Sequence, residues 1–213
     1  SIDVPDALAD GEYTVTVTAE DNAGNTSTQT VTAEVNSAAP TLTLDPPGLG
    51  NDATPTLTGT GEVGATVTLT ITDANGATQT VTTTVDGSGN FSVDVPTDLA
   101  EGNFTVSATT TDDAGNSASA SGTGNIDTTP PVLTLTNPGE TNDTTPTLTG
   151  TGEAGATVTL TITDANGATQ TVTTTVDGSG NFSVDVPTDL AEGNFTVSAT
   201  TSDDAGNTAS ASG

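Results

Sequence analysis

The 213-residue chain contains no lysine, arginine, histidine, cysteine, methionine or tryptophan. Each absence closes a class of chemistry. Without cysteine there is no disulfide and no thiol nucleophile. Without histidine there is no imidazole base or ligand, so serine-histidine and cysteine-histidine catalysis and zinc-type sites are excluded. Without a basic side chain nothing can grip a phosphate backbone or an anionic lipid, so neither nucleic acid nor a membrane surface is expected as a partner. The lack of lysine also rules out lysine-asparagine isopeptide cross-links. No apolar run approaches the ~20 residues of a membrane-spanning helix, and no charged segment leads into a short apolar one. Aromatic residues number only four Phe and one Tyr, too few for sugar-stacking platforms beside the loop carboxylates. No enzyme is expected.

What remains is oxygen chemistry. The chain carries 28 Asp and Glu against no cation, a formal charge of −28. Bound metal ions are the remaining way to neutralise such carboxylates locally. A hard divalent cation, calcium above all, suits an oxygen-only ligand set. The plainer alternative is that the acidity keeps a long polymer soluble. Only 31% of the residues are hydrophobic, which together with the charge would suit a disordered chain. The ordering of those residues argues otherwise.

The segment Asp112-Asp113-Ala114-Gly115-Asn116 recurs as Asp21-Asn22-Ala23-Gly24-Asn25 and as Asp203-Asp204-Ala205-Gly206-Asn207, with a period of 91 residues. Pro131-Val132-Leu133-Thr134-Leu135 echoes Pro40-Thr41-Leu42-Thr43-Leu44 at the same spacing. The chain is therefore a tandem array. Residues 1–38 match the last part of a repeat, Asp3-Val4-Pro5 answering Asp94-Val95-Pro96; 39–129 form a complete repeat; 130–213 form one with a shortened last strand. Residues 51–122 and 142–213 differ at only four positions, Ala53/Thr144, Val63/Ala154, Thr111/Ser202 and Ser117/Thr208. Copies this similar are used for their number, as in a spacer. The first residue is Ser, and the chain is read as an internal piece of something longer.

Within the complete repeat the apolar residues alternate. Ala65, Val67, Leu69 and Ile71 alternate with Thr66, Thr68, Thr70 and Thr72, the period of a strand with one buried face. The same alternation marks strands at Leu42/Leu44, Leu57, Val81/Val85, Phe91/Val93/Val95, Phe104/Val106/Ala108 and Ala118/Ala120/Ile126, seven in all. Asn75-Gly76 predicts a two-residue type I′ hairpin. Seven short strands in about 91 residues predict an all-β fold, with tandem immunoglobulin-like antiparallel sandwiches in a linear array.

Several segments then resemble a known family. Pro55-Thr56-Leu57-Thr58-Gly59-Thr60-Gly61-Glu62 with Gly64-Ala65-Thr66-Val67, Gly89-Asn90-Phe91-Ser92-Val93, Leu99-Ala100-Glu101-Gly102 and Asp113-Ala114-Gly115-Asn116 are similar to the bacterial Ig-like repeats of giant surface adhesins secreted by type I systems. That resemblance implies an extracellular, cell-surface stalk that projects a distal adhesive region, its joints often stiffened by calcium. One linker departs from the pattern: Asn36-Ser37-Ala38-Ala39-Pro40 stands where the next reads Asp127-Thr128-Thr129-Pro130-Pro131, so the resemblance implies calcium less strongly at the first joint than at the second.

Strand order sorts the acidic loops into two poles. Linker Asp127 enters the third unit at the pole holding Glu153, Asp177, Asp203, Asp204 and Asn207. The facing pole of the second unit offers Asn51, Asp52, Asp73, Asn75, Asp98 and Glu101. A few of these with linker carbonyls would supply the six to eight oxygens that calcium takes; Asp112 and Asp113 are the equivalents at the preceding joint. The last strand spans ~30 Å at ~3.3 Å per residue, so Asp112 and Asp127 fall at opposite ends of one unit. Besides neighbouring repeats and calcium, the remaining expected partner is a like chain: strand addition between chains would make the repeats a self-assembling filament or sheath. Outward threonine rows on the third and fourth strands leave ice or carbohydrate binding as a minor alternative.

Overall fold

The computed structural model describes residues 6–213, all strands, turns and irregular segments, with no helix among them. None is therefore long and apolar enough to cross a membrane. The match of Asp3-Val4-Pro5 to Asp94-Val95-Pro96 lies outside the described residues.

The first unit is a hairpin. Strands β1 (Gly11–Glu20) and β2 (Thr26–Val35) pair antiparallel over their full length. The second unit contains β3 (Leu42–Leu44), β4 (Gly48–Gly50), β5 (Thr56–Gly61), β6 (Thr66–Thr72), β7 (Thr78–Thr84), β8 (Asn90–Asp94), β9 (Gly102–Thr111) and β10 (Ser117–Ile126). These form two sheets, β3-β5-β8 and β4-β10-β9-β6-β7. The first strand expected from the sequence, at Leu42 and Leu44, is β3; β4 is an eighth strand that the sequence reading did not include. Asp45-Pro46-Pro47 separates the two, because proline offers no backbone donor to continue a ladder. Leu42–Leu44 pairs antiparallel with β5 in one sheet, and Gly48–Gly50 pairs parallel with the end of β10 in the other.

The third unit repeats this plan in β11 (Leu133–Thr136), β12 (Thr147–Gly152), β13 (Thr157–Thr163), β14 (Thr169–Thr175), β15 (Asn181–Asp185), β16 (Thr196–Ser202) and β17 (Thr208–Ser212). Its sheets are β11-β12-β15 and β14-β13-β16-β17. No strand forms at the equivalent of β4. Phe195, whose counterpart Phe104 is buried against Gly124, is only partly covered.

The alternation sets the core. Leu57, Val67, Leu69, Ile71, Val85, Phe91, Val95, Phe104, Val106 and Ile126 close between the sheets of the second unit, and Leu148, Val158, Leu160, Ile162, Val176, Phe182, Val186 and Val197 in the third. Thr66, Thr68, Thr70 and Thr72 lie opposite Thr84, Thr82, Thr80 and Thr78 on the outer face. Among the described residues no sheet faces the hairpin: Val17 is 60% exposed, whereas its counterpart Ala108 is fully buried.

One turn design recurs. In Asp73–Ala77, Asp86–Asn90 and Asp112–Asn116 the first carboxylate accepts from backbone N–H groups within the loop, and a single glycine, Gly76, Gly89 or Gly115, takes positive φ. No non-glycine among the described residues has positive φ, so Asn75-Gly76 is not the type I′ turn expected from the sequence. The Asp73 carboxylate stabilises a longer loop by binding Asn75 N and Ala77 N at 2.9 and 2.8 Å, the Asx geometry that offers the backbone an alternative partner.

Candidate functional site

The acidic turn that marks the repeat sits at each junction between units. Asp203 illustrates its local logic. One carboxylate oxygen accepts from Asn207 N and the other from the Asn207 side-chain amide, both at 2.8 Å. Gly206, at φ 93°, supplies the left-handed position that lets the chain return. Asp112 with Asn116 and Asp21 with Asn25 repeat the arrangement.

An asparagine amide has two hydrogens, and closing the turn uses one. In the second and third units the same amide nitrogen also donates to the preceding linker. Asn116 Nδ2 reaches the carbonyl of Asn36 at 3.0 Å, and Asn207 Nδ2 reaches the carbonyl of Asp127 at 2.7 Å. The linker is gripped from the other side as well. Asp10 accepts from Ser37 N and Ser37 Oγ at 3.1 and 2.7 Å. Its counterpart Glu101 accepts from Thr128 N at 3.2 Å and from the Thr129 hydroxyl. Both joints therefore share one clasp: a carboxylate of the leading unit holds linker donors, and an asparagine of the following unit holds a linker carbonyl. Pro40 and Pro131 are buried just beyond it.

The joints differ at one position of the clasp. Asn36 donates its side-chain amide to Asp112 Oδ2 at 3.1 Å and accepts from Ala38 N at 3.1 Å. At the second joint that position is Asp127, which accepts from Thr129 N at 3.1 Å and has no amide to donate. Its backbone N–H binds Gly50 O at 3.0 Å, continuing the β4–β10 pairing into the linker. Across the joint, a Cβ on Gly206 would lie 3.6 Å from the Asn51 amide nitrogen, so the facing poles are in near contact.

The electrostatics follow these bonds. The Asp112 and Asp203 carboxyls are held below the ordinary carboxylate range, first by the side-chain amides of Asn116 and Asn207 and then by turn N–H groups. Asp21 is lowered in the same way by Asn25. Asp86 and Asp177 are lowered by the backbone N–H groups of Asn90 and Asn181, and then of Ser88 and Ser179. Glu101 is lowered by the Thr129 hydroxyl above all, with the Thr128 and Thr129 N–H groups also contributing. Glu101 and Asp127 hold the same linker residue, one at the Thr129 hydroxyl and the other at the Thr129 N–H.

The other candidate residues are dispersed. Asp73 caps its own turn and reaches Ala100 N at 3.4 Å; Asp177 caps the β14–β15 turn. Glu153 is exposed at the β12–β13 turn, and its carbonyl accepts from Ala156 N. Asp98, Asp113 and Asp204 are exposed, and among the described residues none of them makes a side-chain hydrogen bond. Among the described residues no three acidic side chains converge in an arrangement that could hold a metal ion. Glu101 and Asp127, both bonded to the linker at 128–129, offer only oxygen atoms, and no positive side chain anywhere in the chain neutralises them.

Sequence reasoning treated Asn116 and Asn207 as turn formers or ligands and missed their grip on the linker. The signal was present as the fixed offset of 80 residues between each asparagine and the linker position before its unit. Only a fold that returns the chain to its starting pole makes that offset a contact.

A family model described as bacterial Ig-like domain matches residues 1–37, 41–128 and 135–213. Among solved structures, the chain is similar to a tetra-tandem repeat in the extending region of a large adhesion protein. The identity is 34%, covering 97% of this chain and 57% of that one, with a TM-score of 0.43. It is also similar to a Ca2+-stabilized adhesin that helps an Antarctic bacterium reach out and bind ice, at 32% identity over 94% of this chain and 55% of that one, TM-score 0.43. A third is a 1.5-MDa bacterial ice-binding adhesin described for host cell surface retention, at 27% identity, with 96% and 73% covered and a TM-score of 0.42. The chain spans just over half the length of the first two. A comparison with curated proteins gives no match.

Proposed function

The chain belongs to the bacterial Ig-like domain family, and from that premise we propose that its units are non-catalytic extender repeats in the stalk of a large bacterial surface adhesin. They hold a distal binding region away from the cell, outside it. The carrying observation is the repeated clasp: at both joints the linker is fixed from the leading unit by Asp10 or Glu101 and from the following unit by Asn116 or Asn207. An extender must transmit length, and that requires linkers with few free torsions.

The proposal includes calcium at the second joint. Glu101 and Asp127 would hold the ion, with Asp203 on the facing pole adding to the negative charge that a divalent cation would neutralise there. One of the similar structures is a Ca2+-stabilized adhesin, which supports the reading by kinship. Glu101 and Asp127 themselves orient the linker: one carboxylate binds Thr128 N and the Thr129 hydroxyl, the other Thr129 N.

The test is thermal unfolding followed by circular dichroism while calcium is titrated, with magnesium as control and chelator reversal, paired with small-angle scattering. A calcium-selective rise in melting temperature with a narrower interdomain distribution supports the proposal. A response no larger than salt screening leaves the carboxylates as turn caps and a solubility coat.

A further inference from the structure

We propose that the first joint is closed by the protein alone, with the Asn36 side chain supplying the positive end of a dipole where the second joint has a carboxylate and calls for a cation. The inference rests on the calcium reading of the second joint and adds what decides, joint by joint, whether an ion is needed.

The two joints are equivalent in register, so they can be compared atom for atom. Each has an acidic residue on the leading unit, Asp10 or Glu101, that accepts linker donors. Each has the Asp-Asn turn on the following unit that captures the linker carbonyl, at Asn36 or Asp127. The contrast lies in the side chain of that linker residue. Asn36 Nδ2 donates to Asp112 Oδ2 at 3.1 Å while Asn116 Nδ2 donates to the same carboxylate oxygen at 2.9 Å and to Asn36 O at 3.0 Å. Linker and turn therefore hold each other in both directions. The Asn36 amide oxygen is used too, by Ala38 N. The clasp contains two carboxylates, Asp10 and Asp112, each with its donors; Glu34, Glu62 and Asp113 line the same groove without joining the clasp.

Aspartate at that position reverses the sign of the contact. A carboxylate only accepts, so Asp127 cannot bridge to Asp203 as Asn36 does to Asp112. It puts a carboxylate where the first joint has a donor, beside the Asp203 turn whose Asn207 holds its carbonyl, and the added like charge favours separation unless a cation neutralises it. Removing one carboxylate and adding one donor accomplishes the same closure as an ion. The consequence for the stalk is graded stiffness: on calcium withdrawal the second joint loosens and the first keeps its order. Asn or Asp at the last residue before each linker states in advance which joints respond.

The test follows amide hydrogen exchange by NMR on the whole chain, in calcium chloride and in chelator, at the equivalent linker pairs Ser37/Ala38 and Thr128/Thr129. The expected result is faster exchange in chelator at Thr128 and Thr129 with no change at Ser37 and Ala38. Asn36→Asp is expected to make Ser37 and Ala38 chelator-sensitive, with protection restored by calcium. If wild-type Ser37 and Ala38 lose protection in chelator as Thr128 and Thr129 do, or if Asn36→Asp leaves them insensitive, the inference is overturned. Failure of the calcium reading shows separately, as Thr128 and Thr129 unaffected by chelator. In that case Asn36→Ala judges the amide closure by itself: lost protection at Ser37 and Ala38 in chelator upholds it, and unchanged protection refutes it.

Discussion

The side-chain amide of Asn207 donates to the carbonyl oxygen of Asp127 at 2.7 Å, joining the last turn of the third unit to the linker that precedes the unit's first strand. Asn116 makes the same bond to Asn36 at 3.0 Å. In each unit the residue that closes the final hairpin therefore also anchors the entry of the chain, so the hairpin fold and the joint are coupled through one amide.

Replacing Asn207 by Ala removes both bonds. The core residues Leu148, Leu160 and Phe182 pack between the sheets with other apolar side chains, so the third unit is expected to remain folded. Scattering profiles should instead show a broader range of angles between the second and third units, with a smaller fall in melting temperature. A rigid second joint in this variant would assign orientation to Pro130 and Pro131 instead.

Asp127→Asn recreates at the second joint the side chain that Asn36 supplies at the first. It removes a carboxylate and adds a donor facing Asp203. The calcium-dependent rise in melting temperature is expected to shrink, and the variant in chelator should match or exceed the wild type in chelator.

Gly150 is buried in β12 between the Thr134 carbonyl and the Phe182 ring, both of which a Cβ would overlap. Since its backbone is not in the left-handed region, the cost of Gly150→Ala is steric. Overpacking of this kind costs ~1–3 kcal/mol, and for a unit of this size each kcal/mol lowers the melting temperature by ~4–8 °C. Gly178→Ala, with open space around the added methyl, is the control and is expected to change little.

The pH dependence follows from the capped carboxylates. Asp21, Asp86, Asp112, Asp177, Asp203 and Glu101 all have folded pKa values below the ordinary range. A lowered folded value means that the bonds to the ionised form favour the fold above the unfolded pKa and are lost as pH falls through the folded one. The melting temperature is expected to be level from about pH 7 to about 5 and to decline below about 4. These groups lie at the surface, so the decline is gradual. Asp177→Asn, which keeps an acceptor for Ser179 N and does not titrate, is expected to flatten it.

Much of this was legible in the residue order. A 91-residue period, threonine alternating with valine, leucine and isoleucine, and Asp-x-x-Gly loops between the runs determined a row of β-sandwiches. A strand with period-two burial has only one face to give a core. The absence of every basic and sulfur-bearing side chain likewise determined that any ion held here must be bound by oxygen. The tertiary structure alone decided the rest. Beyond the expected strand at Leu42 and Leu44, the segment after Pro46 and Pro47 joins the other sheet as β4, a choice that depends on where β5 and β10 lie. Whether an acidic loop caps itself or faces a neighbour depends on distances between segments about 80 residues apart. Sequence lists the carboxylates; only the return of the chain to its starting pole brings Asn36 to Asp112 and sets Asp127 and Glu101 on the same linker residues.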